Sequence, residues 1–432
     1  MTHKTLVVGL LLLALGGTIA LGAQQLAIYT QGIACVTETR SVTVTAGTST
    51  VDLPMPAELV PESVSIGTDA TVLWEAYHYT PAGNLLASSI GQKIQVITAD
   101  AAYRGVLLAS DSNGITLKED SGTIRQIRNP EAISFLDDQP ALSPVLEVSL
   151  SHKTGGAVPI SLTYLTGGVN WSADYIGSLS ADEKTLSLAA NVSLANKSGA
   201  DFKEAAITLV AGAVNVTPKT SEVSRAAPMA LAADLSFTAQ QAFEYHSYTL
   251  ASPVDLANGA SLIVPYTAGS GIPVTKHYTY DGAQSQGVGV SLSFANKKAD
   301  GLGTPLPAGT VRVFQPGANG TLFLGEDTID HTPVDGEVTL AIGSAFDLTG
   351  ERTQVSREKV SSSVYRETYK ITLKNAKDAA VSIDVLEHPN GTWKVLSSTQ
   401  PHTQVDANTI RFTLEVPAHG EKDVTYTVEY SY

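Results

Sequence analysis

The segment Thr425-Tyr426-Thr427-Val428-Glu429 alternates in side-chain character, and Ser41-Val42-Thr43-Val44-Thr45 shows the same two-residue period near the other end of the chain. Successive side chains of a β-strand point to opposite faces of its sheet, so this period predicts strands with one buried face. Similar runs recur along most of the chain, separated by Gly, Pro, Asn and Asp, and long helical patterns are absent. The sequence therefore predicts an all-β protein.

Length and charge narrow the class of protein further. The chain has 432 residues, more than one hydrophobic core normally supports, so we expect several domains. It carries 42 acidic and 27 basic residues, which gives a net charge of -15. Such an excess of negative charge repels phosphate groups, and we therefore expect neither nucleic acid nor anionic lipid as a partner.

The first 23 residues (1–23) have the organisation of a signal peptide. His3 and Lys4 precede an uncharged, leucine-rich run of 16 residues from Leu6 to Leu21, and Gly22-Ala23 supplies small residues for cleavage. The run is shorter than the roughly 20 residues that cross a bilayer as a helix, and no later segment resembles a transmembrane helix. We therefore expect a cleaved signal peptide and a secreted or periplasmic mature protein without a transmembrane anchor.

Cys35 is the only cysteine of the chain, so it cannot form an intramolecular disulfide. It lies 12 residues beyond Ala23, too far from the apolar run for a lipid-anchored N-terminus. Its neighbours in Ile33-Ala34-Cys35-Val36 are apolar, which predicts a thiol that packs as a small hydrophobic group and takes no part in catalysis.

Two different modules are expected in the first third of the chain. Residues 24–80 contain several short strands and form an N-terminal β segment, either a small sandwich or half of one. Residues 81–137 resemble a small SH3-like or Sm-like β-barrel inserted after it. The five strands predicted for this barrel are Lys93–Thr98, Tyr103–Ala109, Gly114–Lys118, Gly122–Arg128 and Ala132–Leu136.

Sm-like barrels often bind RNA, but residues 91–137 carry five basic and six acidic residues, which favours a structural role for this module. A linker is predicted directly after it, at Asp137-Asp138-Gln139-Pro140.

The remainder is expected to form sandwich-like (Ig-like) β domains, one at residues 145–222 and a larger region at 245–432, joined by an Ala-rich linker at 223–244. Weak internal similarity supports repeated units, because three runs each place an alternating strand before an Asn. These runs are Val192–Gly199, Val290–Lys298 and Tyr369–Ala376. Asn tolerates a left-handed backbone and readily ends a strand at a turn. A strand followed by Asn is also common in any β protein, so the pattern alone does not establish repetition.

Several separated segments resemble one family in sequence order. They are Tyr164-Leu-Thr-Gly-Gly-Val-Asn-Trp171, Asn196-Lys-Ser-Gly-Ala-Asp-Phe202, Gly301–Phe314, Leu324-Gly-Glu-Asp327 and Gly343-Ser-Ala-Phe-Asp347. From about Val145 to the C-terminus the chain is similar to exported bacterial proteins that carry domain of unknown function 4139. The resemblance implies a secreted or periplasmic β-rich protein without an assigned activity. Some members resemble mucoidy inhibitor proteins and have a coiled coil before this domain, where this chain has the predicted barrel.

Glu326, Asp327 and His331 form the densest group of acidic and imidazole side chains. They could supply a carboxylate base oriented by a histidine, or they could belong to an acidic hairpin turn. Three histidines occur next to tyrosines, in Tyr77-His78-Tyr79, Tyr245-His246-Ser247-Tyr248 and His277-Tyr278-Thr279-Tyr280. Because no zinc-binding spacing is present, these segments are expected to form aromatic cross-strand pairs, and neither a metal nor another cofactor is expected.

Three functions of different classes are consistent with the sequence. The favoured one is a non-catalytic binding or scaffold protein of the cell envelope or exterior, with an envelope protein or a glycan as its partner. A second is an envelope hydrolase that acts on glycan, with Glu326, Asp327 and His331 as candidate catalytic residues. A third is a surface-layer or filament component that self-associates through exposed strand edges.

Overall fold

A computed structural model describes residues 20–137, 141–212, 237–242, 245–285 and 287–431. The chain forms two compact units. The first comprises the described residues of Met1–Trp171, Leu194–Ala232 and Ala242–Leu262, and the second those of Ser172–Ser193, Ala233–Gln241 and Ile263–Tyr432. Most of the predicted signal peptide, most of the predicted 137–140 linker and most of the Ala-rich linker lie outside the described residues.

The described residues form thirty strands. The first ten are β1 (Ala20–Tyr29), β2 (Ile33–Val44), β3 (Gly47–Pro54), β4 (Ser65–Thr68), β5 (Thr71–His78), β6 (Lys93–Ile97), β7 (Ala102–Asp111), β8 (Gly114–Glu119), β9 (Ile124–Ile127) and β10 (Ala132–Phe135). The next ten are β11 (Val145–His152), β12 (Gly156–Gly167), β13 (Val169–Leu179), β14 (Thr185–Asn196), β15 (Phe202–Ala211), β16 (Phe237–Ala242), β17 (Tyr245–Leu250), β18 (Val254–Leu256), β19 (Ser261–Pro273) and β20 (Thr275–Asp281).

The last ten strands are β21 (Gly287–Ala295), β22 (Gly309–Gly317), β23 (Gly320–Ile329), β24 (Glu337–Lys359), β25 (Val364–Asn375), β26 (Val381–Glu387), β27 (Thr392–Ser398), β28 (Thr403–Asp406), β29 (Thr409–Val416) and β30 (Gly420–Ser431). Helical structure is confined to α1 (Leu85–Ser88) and to 3-10 turns at Pro61–Ser63, Ala82–Asn84 and Lys298–Asp300 in the described chain. The prediction of an all-β protein is therefore confirmed.

Two sheets of the first unit contain strands from both sides of the inserted module. One has the order β17-β15-β1-β2-β12-β4, with β18 also paired to β15, and the other has the order β3-β11-β5. Alternate side chains of β2 and β12 are buried, as the two-residue period predicts. Strands β1 to β5 thus complete sheets whose other members follow some 70 residues or more later in the chain.

The inserted module is an open sheet with the order β10-β6-β7-β8-β9. All five predicted strands are present, but the expected closed barrel is wrong, because no pairing joins the edge strands β9 and β10 in the described residues. Both edge strands have only four residues, and a closed barrel requires a consistent tilt and stagger around the whole ring. The core formed by Ile94, Leu107 and Leu117 is covered partly by Leu86 of α1.

The second unit contains a five-stranded and a nine-stranded sheet. The first has the order β19-β14-β13-β22-β23, to which β13 and β14 contribute within Ser172–Ser193, and the second has the order β27-β30-β25-β24-β21-β20-β26-β29-β28. Phe412 of β29 and Tyr426 of β30 lie 5.3 Å apart between ring centroids in one hydrophobic core. Because β29 and β30 belong to opposite wings of the nine-stranded sheet, the sheet curls into a sandwich-like arrangement around that core.

The three asparagines of the repeated runs have the same structural role. Asn196, Asn296 and Asn375 are buried at strand ends, and each side-chain amide donates to at least two backbone carbonyls. Each side-chain oxygen also accepts a backbone N–H a few residues further along the chain, at 2.9–3.0 Å. A buried amide with these bonds fixes the loop that follows the strand, which gives the weak sequence repeat a physical cause.

Candidate functional site

A cavity of about 220 Å³ opens within the second unit, between strands of its five-stranded sheet and strands of its nine-stranded sheet. Somewhat more than half of its wall is apolar, and six side chains supply its polar groups. Its lining residues are Leu179, Glu183, Lys276, Tyr278, Val290, Leu292, Gln315, Leu324, Ile342, Gly343, Ser344, Ala345 and Lys377. A pocket that combines apolar walls with convergent polar groups has the general character of a small-molecule site.

Two β-bulges shape this cavity. Val313 pairs with Gly325 and Phe314 pairs with Phe323, so Leu324 is an extra residue in β23. In the same way, the pairing of β21 with β24 leaves Ile342 unopposed. A bulge bends its strand and redirects the side chain. Both extra residues, Leu324 and Ile342, line the cavity.

Gly325 allows β23 to approach β24 next to these bulges. A Cβ atom at Gly325 would lie only 2.2 Å from the carbonyl oxygen of Ile342, a distance that no side chain permits. Asp327 fixes the same approach, because its Oδ2 accepts the backbone N–H of Ala341 at 2.7 Å. Backbone proximity at Gly325 and the Asp327 hydrogen bond therefore hold the bulged segment of β24 at the wall of the cavity.

Replacing Gly325 with alanine is expected to separate β23 from β24, since the backbone carbonyl of Ile342 cannot move away as a flexible side chain could. We expect a loss of about 1–3 kcal/mol of stability in the second unit. Hydrogen exchange of a peptide spanning residues 337–345 should accelerate as the Ala341 amide loses Asp327. Gly289→Ala is the matched control, because its new Cβ would meet only Thr279 O at an ordinary 3.5 Å. Equal exchange in both variants would contradict the proposed role of Gly325.

Lys276 and Glu183 form an ion pair at the cavity wall. The Lys276 ammonium lies 5.5 Å from the centroid of the Tyr278 ring, two residues further along β20. Partial burial, the largest single influence, lowers the pKa of Lys276, but the hydrogen bonds and charges of Glu183 and Tyr278 together outweigh burial and raise the pKa. The Lys276 charge is therefore maintained and is compensated by Glu183.

Lys377 brings a second ammonium to the same ring, with its Nζ 5.6 Å from the centroid of Tyr278. The buried Asn375 fixes the backbone of Lys377, since Asn375 Oδ1 accepts the Lys377 N–H at 2.9 Å. On the other side of the residue, the Lys377 carbonyl accepts the N–H of His419 at 3.2 Å. Within the described part of the chain, no carboxylate pairs with the Lys377 ammonium.

The predicted site residues Glu326, Asp327 and His331 do not converge on the cavity, because none of them is among its lining residues. Glu326 is half-exposed and pairs with Arg312 at 3.1 Å. Asp327 is its neighbour in β23 and points to the opposite face, as alternation in a strand requires. His331 Nδ1 accepts the backbone N–H of Ala308 at 3.0 Å. Each of the three therefore has a structural contact.

The three aromatic histidine segments belong to different strands, and none of their histidines lines the cavity. His78 pairs with Glu147 at 2.9 Å in the first unit, His246 is exposed, and His277 lies 2.8 Å from Ser293 Oγ in the second unit. The described residues contain no group of three or more His, Cys, Asp or Glu side chains that could hold a metal ion. Cys35 is half-buried, and this burial raises the pKa of its thiol, which disfavours the thiolate.

Sequence reasoning missed the charged residues of the cavity, Glu183, Lys276 and Lys377. Two of them border segments that the sequence did single out: Lys276 precedes His277-Tyr278, and Lys377 follows the Asn375 that ends the third repeated run. Glu183 is 93 positions away from Lys276. No motif joins residues so far apart, so only the fold could reveal their association.

The fold and the cavity define an all-β protein with a small, largely apolar pocket and a cationic side chain at its wall. Comparison with protein families then places the chain: the family domain of unknown function 4139 (DUF4139) matches residues 160–432, and the protein belongs to that family. The match confirms the resemblance carried by the segments from Tyr164 to Asp347. No curated protein matches the chain. The longest α-helix among the described residues has four residues, so none of these helices is long enough to cross a membrane.

Proposed function

We propose that this member of the family is a non-catalytic binding protein of the cell envelope or exterior, exported by its N-terminal signal peptide, and that the cavity of the second unit is its ligand site. The observation that carries the proposal is the convergence of the two bulges on this cavity. Regular pairing would have continued the sheets without an opening. Bulges are enriched next to functional sites, where they redirect side chains.

We also propose an SH3-like fold for the inserted module and an Ig-like fold for the second unit. The strand order β10-β6-β7-β8-β9 places the first strand of the inserted module between its fifth and second strands, which supports an SH3-like meander without closure. The opposed wings of the nine-stranded sheet support an Ig-like sandwich in the second unit. In such folds the sheets position the loops, where function often diverges.

The two alternative functions have less support. A hydrolase would need Glu326 and Asp327 to act together, yet neighbouring residues in a strand face opposite sides, and the Asp327 carboxylate already accepts the Ala341 amide. Self-assembly through strand edges rests on high β content alone, which monomeric β proteins share. The cavity is the more specific feature.

A fragment screen by ligand-observed NMR tests the proposal. Ser344 is exposed at the cavity wall, so Ser344→Trp is expected to fill the entrance without altering the core. The control is Ser397→Trp, at an exposed position of β27 away from the cavity. We expect some fragments to bind the wild-type protein and the Ser397→Trp variant, and to bind Ser344→Trp at least about tenfold more weakly. The absence of any binding fragment, or equal binding to both variants, would overturn the proposal.

A further inference from the structure

We propose that the cavity of the second unit selects small amphipathic monocarboxylates, with the carboxylate at the Lys377 ammonium and the apolar body against Leu179, Leu292, Leu324 and Ile342. This inference rests on the proposed binding function and adds the chemical class of the ligand. Four features of the cavity support it: its charge, its apolar wall, its size and the backbone hydrogen bonds of Lys377.

The charge at the cavity has the opposite sign to that of the whole protein. The chain has a net charge of -15, whereas the charged lining residues are Lys276, Lys377 and the single carboxylate of Glu183. Glu183 is paired with Lys276, which leaves the ammonium of Lys377 as the uncompensated charge at this wall. An anion bound there gains an interaction that the surrounding acidic surface does not offer.

The apolar part of the cavity wall favours a ligand that carries a hydrocarbon group as well as the carboxylate. Leu179 and Leu292 are buried at the base of the cavity, and the bulged residues Leu324 and Ile342 are partly exposed towards it. Filling this wall with hydrocarbon removes apolar surface from water. A simple inorganic anion or acetate would leave that surface unused.

Size and charge balance restrict the ligand further. A volume of about 220 Å³ accommodates a molecule of the size of a small aromatic acid. A second carboxylate on the ligand would approach Glu183, whose charge is already matched by Lys276. The site is therefore expected to favour monoacids over diacids.

The backbone of Lys377 is held in place before any ligand arrives. Its N–H is held by Asn375 Oδ1 at 2.9 Å, and its carbonyl accepts the N–H of His419 at 3.2 Å. His419 pairs in turn with Asp378 at 2.9 Å, so the neighbouring carboxylate of Asp378 already has a partner. A backbone fixed on both sides reduces the ordering that binding would otherwise require.

The experiment compares phenylacetate with its neutral isostere phenylacetamide by isothermal titration and NMR titration. We expect the wild-type protein to bind the acid about tenfold more tightly than the amide, because only the acid forms a charge-assisted bond. Lys377→Met removes the charge but keeps a long side chain, and it should abolish the preference while retaining weak binding of the amide. Lys374→Met, at an exposed position of β25, is the control and should keep the preference.

The outcomes separate this inference from the proposed function. Equal affinity for acid and amide in the wild-type protein, or an unchanged preference in Lys377→Met, would overturn the ligand class while leaving the cavity as a binding site. If neither compound binds and the fragment screen is also negative, the binding function fails together with the ligand class. Acetate should bind far more weakly than phenylacetate, and equal affinity would contradict the role of the apolar wall.

Discussion

Replacing Glu38 with leucine is expected to lower the free energy of unfolding of the first unit by about 3–5 kcal/mol, because the substitution leaves the buried Arg40 without its charge partner. Glu38 Oε1 accepts a hydrogen bond from Arg40 Nη2 at 2.5 Å, and the Glu38 side chain has no exposed surface. An unpaired guanidinium cannot recover its hydration at a site this deeply buried.

Four strands, β1, β2, β3 and β12, contribute to this network around Glu38. Gln24 of β1 donates its Nε2 to Glu38 Oε2 at 2.6 Å, and Tyr164 of β12 donates its hydroxyl to Glu38 Oε1 at 3.1 Å. Burial, followed by the Glu38 charge, raises the pKa of Tyr164, so its hydroxyl keeps the proton that it donates. Arg40 Nη1 also donates to the carbonyl of Pro54 at the end of β3. The loss of Glu38 therefore leaves several buried donors unsatisfied.

Urea denaturation followed by hydrogen-exchange mass spectrometry measures this effect, since peptides from each unit report separately. The double variant Glu38→Leu/Arg40→Met should lose less stability than Glu38→Leu alone, because removing both charges leaves no unpaired ion. Glu75→Leu, at an exposed position of β5, is the control and should shift the urea midpoint little. A double variant less stable than the single one would contradict the proposed ion pair.

Replacing Glu387 with glutamine is expected to destabilise the second unit by about 2–3 kcal/mol. Arg352 makes a bidentate pair with Glu387, with Nε to Oε1 at 2.8 Å and Nη2 to Oε2 at 2.9 Å. The hydroxyl of Tyr426 donates to the same carboxylate, and the Arg352 guanidinium stacks 3.8 Å from the centroid of the Tyr369 ring. Because the Arg352 side chain retains 25% exposure, we expect a smaller loss than at Glu38.

Arg352→Lys distinguishes geometry from charge in this second network. A lysine keeps the positive charge but cannot form the bidentate pair or the same planar stack on Tyr369. We therefore expect a loss of about 1–2 kcal/mol, read from the urea midpoint of peptides in β24, β25 and β26. Glu415→Gln, at an exposed position of β29, serves as the control. Full stability of Arg352→Lys would show that charge alone accounts for the interaction.

Local sequence patterns predicted much of the architecture. The alternating segments at Ser41–Thr45 and Thr425–Glu429 fall on β2 and β30, and each of the five strands predicted for the inserted module overlaps an observed strand. In the three repeated runs, the strand ends at or directly before the asparagine, at Asn196, Asn296 and Asn375. These features depend on side-chain alternation and turn preference over a few residues, which the sequence records directly.

The candidate site was predicted less well. Glu326, Asp327 and His331 were grouped because they are close in sequence, but strand alternation directs Glu326 and Asp327 to opposite faces. The same alternation, applied to Thr321–Ile329, could have separated them in advance. The charged residues of the cavity come from Glu183, Lys276 and Lys377, which no local pattern connects.

The sequence by itself determined the all-β class, the positions of several strands, the family and the negative net charge of this protein. Only the tertiary structure decided that the inserted sheet stays open, that Leu324 and Ile342 bulge towards one cavity, and that Lys377 lies beside Tyr278. The physical reason is range: side-chain alternation is local, whereas strand register, bulges and buried charge pairs depend on which distant strands meet.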